Sequence, residues 1–141
     1  MPTCFNIELR DTKSLMNSGD YKKRFVAEYW QTKIRYEKLK AFNNKIEAAN
    51  LTSCIESGIK KLEMPKHDCP HSLLVEQQHH MGLYLHVLEV RAEIEGIDLD
   101  GVMWDYLTAD MTSDIASNST MGKSIPKEGG NRIEENLLKG V

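Results

Sequence analysis

Apolar residues recur at alternating intervals of four and three between residues 25 and 46, in a stretch without proline or glycine. This heptad pattern is typical of a helix that packs along one partner, and it predicts a long helix from about Tyr21 to about Ala49. Asp20 is its expected N-cap. The seam consists of Phe25, Tyr29, Thr32, Tyr36, Leu39, Asn43 and Ile46.

A second apolar stripe lies beside this seam and consists of Val26, Trp30, Ile34 and Phe42. One apolar stripe packs against one partner helix. Two stripes therefore predict that the helix is buried on more than one side. A chain this short offers few internal partners. We therefore expect a second copy to cover the second stripe, which makes the protein a homo-oligomer.

A second heptad pattern predicts another long helix from about Pro70 to Glu95, with Gly96 as a left-handed C-cap. Its core-facing positions are Leu74, Gln78, Met81, Leu85, Leu88 and Ala92, and Leu73, Tyr84, Val87 and Ile94 form an adjoining stripe. A connector of roughly twenty residues, with one short helix over 51–64, should let the two helices pack antiparallel. The predicted fold class is all-α: an oligomerising hairpin of two long helices with short extra helices.

This pattern divides the chain into an N-terminal arm (1–19), a helical hairpin domain (20–96) and a C-terminal region (97–141). Within residues 1–17, the weakly alternating segment from Cys4 to Leu9 should form a short strand or an arm. In the C-terminal region we expect a short docking helix over 97–111, a flexible segment over 112–132 that is rich in serine, threonine, glycine and asparagine, and a last helical turn over 133–138.

Composition narrows the class of protein. The 141 residues, 40% of them hydrophobic and 28% charged, fit one ordinary globular domain. No apolar run is long enough for a membrane span, and the first ten residues do not resemble a secretory signal. Three cysteines without framework spacing suit a reducing cytoplasm.

Charge is distributed unevenly along the chain. Residues 21–46 hold eight basic and two acidic side chains, whereas residues 72–100 hold six acidic side chains and only Arg91 as a cation. Two interpretations stay open: the two helices attract each other, or part of the basic helix faces an anionic ligand.

No complete catalytic site can be assembled from known patterns, so we expect no enzyme and no cofactor. His67, Cys69 and His71 are possible zinc ligands, but no second ligand pair has the usual spacing, and we expect no metal. Residues 121–124 contain only the Gly-Lys-Ser fragment of a phosphate loop. Aromatic and basic residues alternate along the first helix, which suits stacking on a base and binding of a phosphate. The net charge of −3 and the lack of a basic tail argue against long nucleic acid.

Two segments carry a resemblance to a known family. The first runs from Tyr21 to Leu39 and includes the run Arg35-Tyr-Glu-Lys-Leu. The second runs from Leu73 to Arg91 and includes Gln77 four residues before Met81. Together, over about residues 20–96, they resemble the helical hairpin of bacteriophage cyclic-nucleotide sponges, namely the anti-CBASS sponge of the second type and the first Thoeris anti-defence protein.

The resemblance implies a protein that acts without catalysis. Sponges form oligomers, often hexamers, and bind cyclic dinucleotides or cyclic ADP-ribose isomers between protomers, which starves the defence effector of its signal. The family's stacking aromatic falls nearest Tyr21, its helix cation falls at or beside Trp30 with Lys33 one turn along, and its second basic group falls near His71 and Ser72. The candidate ligand-binding residues are Tyr21, Lys23, Trp30, Lys33, His71 and Ser72.

Three functions are therefore weighed. The first is a phage anti-defence sponge in the host cytoplasm, with a cyclic nucleotide and its own copies as partners and without membrane or long nucleic acid. The second is a protein–protein inhibitor of a host defence enzyme, which predicts an exposed apolar patch. The third is a structural oligomerising phage protein, which predicts a large homotypic interface and no ligand.

Overall fold

The protein is built from helices throughout the part of the chain that the computed structural model describes, residues 6–55 and 58–121, with side chains described as far as residue 110. A 3-10 turn at Leu9–Thr12 leads into four α-helices. These are α1 (Lys13–Met16), α2 (Tyr21–Ser53), α3 (His71–Glu95) and α4 (Leu99–Met121). The predicted all-α class is confirmed over these residues.

The chain divides into two compact units, residues 1–102 and residues 103–141. The first unit contains α1, α2, α3 and the start of α4. The described part of the second unit is the continuation of α4. Among the described residues, no helix has the length and hydropathy needed to cross a membrane.

Local capping chemistry fixes the ends of the two long helices. The Asp20 carboxylate accepts a hydrogen bond of 2.9 Å from the backbone N–H of Lys22, which satisfies a free donor at the start of α2. At the end of α3, Gly96 adopts a left-handed φ of 64°, and its N–H bonds to the carbonyl of Ala92. Both caps agree with the sequence prediction.

Helices α2 and α3 contact each other along much of their length. The Tyr29 hydroxyl donates to Glu89, and the Asn43 amide donates to Gln78, so residue numbers rise along α2 as they fall along α3. This order is that of an antiparallel pair. Helix α3 buries a narrow stripe of Leu85, Leu88 and Ala92. Helix α2 instead buries residues on more than one side, namely Phe25, Val26, Ala27, Tyr29, Asn43, Ile46 and Ala49.

The chain itself covers the first part of the second stripe of α2, which weakens the argument made from the sequence. Val26 is fully buried, and Trp30 is half-buried with its indole N–H bonded to the carbonyl of Leu99 at 2.9 Å. The segment around Thr12 also packs on this side, since the Gln31 amide donates to the Thr12 hydroxyl. Val26 and Trp30 are thus covered without a second copy, whereas Ile34 and Phe42 stay partly exposed, and oligomerisation stays a prediction.

Three local predictions were wrong over the described residues. Helix α2 continues through Ser53, whereas residues 58–70 contain no helix and Gly58 takes a left-handed φ of 71°. The N-terminal arm is helical from Leu9 to Met16 and has no strand over residues 6–8. Residues 112–121 belong to α4 instead of a flexible segment. The predictions for residues 1–5 and 122–138 lie outside the described residues.

Asn43 is a polar residue in the apolar seam, and it gives a test of the α2–α3 contact. Its side chain is 4% exposed, and its amide group donates to the carbonyl of Leu74 and to Gln78 at 3.1 and 2.8 Å. Because Asn43→Asp replaces this donor with a carboxylate that faces two acceptors, we expect it to lower the free energy of unfolding by about 2–3 kcal/mol.

The matched control is Asn44→Asp, since Asn44 is the exposed neighbour. Urea denaturation at neutral pH should show a change within about 0.5 kcal/mol for this control. Equal effects of the two substitutions would show that Asn43 does not hold the helices together.

Candidate functional site

The start of α2 places an aromatic ring and a cation side by side. Tyr21 is the first residue of the helix and remains 47% exposed. Its hydroxyl accepts a hydrogen bond of 2.5 Å from Nη2 of Arg91 on α3. Lys23, also exposed, follows two residues later. This end of the helix pair therefore offers a ring for stacking and cationic groups for an anion.

Arg91 is a functional candidate that the sequence analysis missed. Its guanidinium lies 4.9 Å from the centroid of the Phe25 ring and also donates to Glu95 at 2.9 Å. The bond to Glu95 is the main reason that the pKa of Arg91 lies above its ordinary value. The charge pattern could have pointed to Arg91, because it is the one lysine or arginine between residues 72 and 100.

Trp30 and Lys33 form a second cluster further along α2. The Lys33 ammonium lies 4.9 Å from the Trp30 ring centroid and 5.4 Å from that of Tyr29, which is cation–π geometry. The Trp30 ring is held through its bond to Leu99. Trp30 thus has a structural role in one chain, and Lys33 is positioned by rings instead of by a carboxylate.

The clefts near Lys33 carry the wrong charge for a phosphate within one chain. A shallow cleft of about 180 Å³ is lined by Lys33 together with Glu37 and Glu89. Next to it lies a cleft of about 720 Å³ whose lining includes the carboxylates of Glu89, Glu93, Asp98 and Asp100. The larger volume suits a nucleotide, but four carboxylates disfavour an anion there.

The start of α3 presents backbone donors. Pro70 is the N-cap and gives no side-chain hydrogen bond, so the N–H groups of His71 and Ser72 have no acceptor among the described residues. The Nε2 atom of His71 is buried and likewise has no partner there. A helix N-terminus with free N–H groups has the chemistry of an anion site.

The structure divides the predicted site residues between the two ends of one chain. Tyr21, Lys23, Trp30 and Lys33 lie in the first four turns of α2. His71 and Ser72 lie at the start of α3, next to Leu74, whose carbonyl bonds to Asn43 in the second half of α2. Asn43, which makes that contact, is separated from Tyr21 by about 33 Å of helix. One chain therefore does not bring the six residues together.

Within residues 6–55 and 58–110, no group of three or more histidine, cysteine, aspartate or glutamate side chains is arranged to hold a metal ion. His67, one of the zinc candidates, instead bonds through Nδ1 to the carbonyl of Pro65 and lies edge-on to the Phe42 ring. Cys69 is a free thiol.

The bond between Tyr29 and Glu89 makes stability depend on pH at the alkaline end. Burial first, and then the hydrogen bond to Glu89, raise the pKa of the Tyr29 hydroxyl well above its ordinary value of about 10. A folded-state pKa above the unfolded one contributes stability that is complete below pH 10 and is lost as the pH rises further.

We expect Tyr29→Phe to lower the free energy of unfolding at pH 7 by about 1 kcal/mol. The difference from the unsubstituted protein should shrink above pH 10, when measured by urea denaturation between pH 7 and 11. A difference that grows with pH would contradict the assignment.

Comparison with known proteins identifies the family of this chain. No curated protein and no solved structure matches the chain. A family model, Sequestin, matches residues 19–94, which is just over half of the chain. This range contains the whole of α2, the residues between α2 and α3, and α3 except for its last residue. Sequestin is the name of the phage cyclic-nucleotide sponge family, so the resemblance read from the sequence is confirmed. The chain belongs to the Sequestin family.

Proposed function

We propose that this protein is a phage anti-defence sponge, which binds a cyclic nucleotide immune signal in the cytoplasm of the infected cell and sequesters it without turnover. The ligand class is a cyclic dinucleotide or oligonucleotide, or a cyclic ADP-ribose isomer. The observation that carries this proposal is the family match over the α2–α3 pair, the part of the chain that presents the candidate residues.

Unpaired positive charge on α2 supports an anionic ligand. Among the described residues, none of the eight basic side chains between 21 and 46 forms an ion pair with a carboxylate. The ion pairs there are Arg10–Glu8, His80–Glu76 and Arg91–Glu95, each within one segment. The two oppositely charged helices are therefore not held together by salt bridges, and the cations of α2 remain available to bind phosphate.

The divided candidate site supports binding between copies. The ring and cations at the start of α2 and the free N–H groups at the start of α3 complement the base and the phosphates of a nucleotide. Because about 33 Å of helix separates them in one chain, one ligand of that size contacts both only when two chains meet. An oligomer thus accounts for both halves.

A second candidate is a protein–protein inhibitor of a host defence enzyme. The observation that favours it is an exposed apolar face on α3, where Leu73, Leu83, Val87 and Ile94 are each at least 51% exposed. A structural oligomer would use the same face. These alternatives differ from a sponge in binding no nucleotide.

A thermal-shift screen against cyclic dinucleotides, cyclic trinucleotides and cyclic ADP-ribose isomers separates these functions. A ligand present at a hundred times its dissociation constant should stabilise the protein by about 2.7 kcal/mol. For a domain of this size, the midpoint should rise by more than about 5 °C. Intact ligand recovered after denaturation would show binding without turnover, whereas no shift with any of these compounds would favour the inhibitor.

Lys33 gives a charge test with the nucleotide that the screen identifies. We expect Lys33→Glu to raise the dissociation constant at least tenfold, because one phosphate loses a cation and gains a repelling charge (about 1.4 kcal/mol or more). Calorimetric titration measures the affinity and a thermal melt measures the stability.

The control is Lys38→Glu, which makes the same charge change at an exposed position of α2 that is not among the candidates. It should change the affinity by less than about threefold. Equal losses of affinity in both variants would mean that general electrostatics, and not a site at Lys33, holds the ligand.

A further inference from the structure

One arginine of α3 is held in a fixed position against the start of α2. The guanidinium carbon of Arg91 lies 4.9 Å from the centroid of the Phe25 ring, and Phe25 is only 3% exposed. Nη2 of Arg91 donates to the Tyr21 hydroxyl at 2.5 Å. Nε and Nη2 also donate to Glu95, at 3.2 and 2.9 Å. A ring face, a hydroxyl and a carboxylate thus fix both the position and the plane of this guanidinium.

These contacts use only part of the guanidinium. Nε and Nη2 have acceptors, whereas Nη1 has no hydrogen-bond partner among the residues that the structure describes. The Arg91 side chain is 46% exposed, so a ligand in solution can reach it. Arg91 therefore keeps the two N–H donors of Nη1 for a ligand, and the several acceptor oxygens of a phosphate group suit such donors.

The charge around Arg91 favours an anion. The exposed basic residues 22–24 (Lys-Lys-Arg) follow Tyr21 directly, and none of them forms an ion pair with a described residue. Together with Arg91 they make four cations, and the carboxylates that bond to this region are those of Asp20 and Glu95. The N-terminus of α2 adds a partial positive charge from the helix dipole. The region is therefore positive although Glu95 is paired with Arg91.

Fixation distinguishes Arg91 from the lysines beside it. Lys22 and Lys23 are exposed, and their ammonium groups make no hydrogen bond to a described residue. A mobile side chain loses rotamer freedom when it binds a ligand, whereas a side chain that is already held loses little. The two lysines can thus attract an anion, but Arg91 is the cation that can hold it in one place.

We propose that Arg91 binds a phosphate group of the ligand through Nη1 and that the Tyr21 hydroxyl positions it for this contact. The proposal rests on the proposed function, since the phosphate is taken to be that of the sequestered nucleotide. Tyr21 then has two separable roles, because its ring is available for stacking on a base while its hydroxyl holds Arg91.

Substitution of Arg91 tests the phosphate contact by calorimetric titration of the full-length chain. Arg91→Lys keeps the charge but replaces the planar fork with one ammonium, so we expect it to raise the dissociation constant for the nucleotide at least roughly tenfold. Arg91→Met removes every donor and should raise it further. The matched control is Arg10→Lys, since Arg10 is also exposed and paired with a carboxylate, at 3.0 Å from Glu8. It should change the affinity less than about twofold.

A double-mutant cycle tests whether Tyr21 acts through Arg91. Tyr21→Phe keeps the ring for stacking and removes the hydroxyl that accepts from Nη2. It should weaken binding about threefold to fivefold when Arg91 is present and less than about 1.5-fold in the Arg91→Met background. Equal effects in the two backgrounds would mean that the hydroxyl acts independently of Arg91, which would overturn the positioning role.

Pyrophosphate tests the same contact without a nucleotide. The Nε–H group of Arg91 gives a resonance in a proton–nitrogen correlation spectrum, which is assigned by its loss in Arg91→Lys. Millimolar pyrophosphate should shift this resonance and leave that of Arg10 in place. An Arg91 resonance that does not move would overturn the anion contact.

The outcomes separate this proposal from the proposed function. If the chain binds a nucleotide and both Arg91 variants keep the wild-type affinity, sequestration stands and the role of Arg91 is wrong. If pyrophosphate shifts the Arg91 resonance but none of the screened nucleotides binds, the anion contact is supported and the sponge is contradicted.

Discussion

The packing of α2 against α3 is the contact on which the rest of the structure depends. A helix of 33 residues extends about 50 Å, and helices of this length are held in water mainly by burying an apolar face. Helix α3 buries only Leu85, Leu88 and Ala92. The pair is thus joined along a narrow seam, and most of the surface of α3 is left for other contacts.

Asn43 is the one polar residue among those that α2 and α3 bury, so the contact between the helices is mainly apolar and does not use their opposite charges. If salt bridges joined the basic and acidic helices, the carboxylates of α3 would neutralise the cations of α2 within the chain. Instead, the lysine ammonium groups near the seam lie over rings, such as Lys33 over Tyr29 and Trp30. The contact between α2 and α3 therefore needs no ion pair, and the carboxylates of α3 do not neutralise the cations of α2.

The fold class, both long helices and their caps could be predicted because heptad spacing, Asp20 and Gly96 act locally. The segment that packs against each stripe could not be predicted from the spacing. The stripe through Val26 and Trp30 predicts burial, but spacing along one helix does not state which segment covers it, and the arm around Thr12 and the carbonyl of Leu99 do so here.

The arrangement of the candidate site could likewise not be predicted from the sequence. Residue types and the family resemblance point to rings, cations and a helix start, but they give no distances. The structure adds that Arg91 bonds to Tyr21 across the helix pair and that His71 and Ser72 lie towards the opposite end. Arg91 stands out in the sequence only as a lone cation among acids, because its role depends on which α2 residue it reaches.

The divided candidate site is a consequence of the antiparallel pairing of α2 and α3. In such a pair, the start of α3 lies at the end opposite to the start of α2, so one chain separates Ser72 from Tyr21. Under the proposed function, one nucleotide therefore contacts both groups of candidate residues only when a second chain supplies one of them.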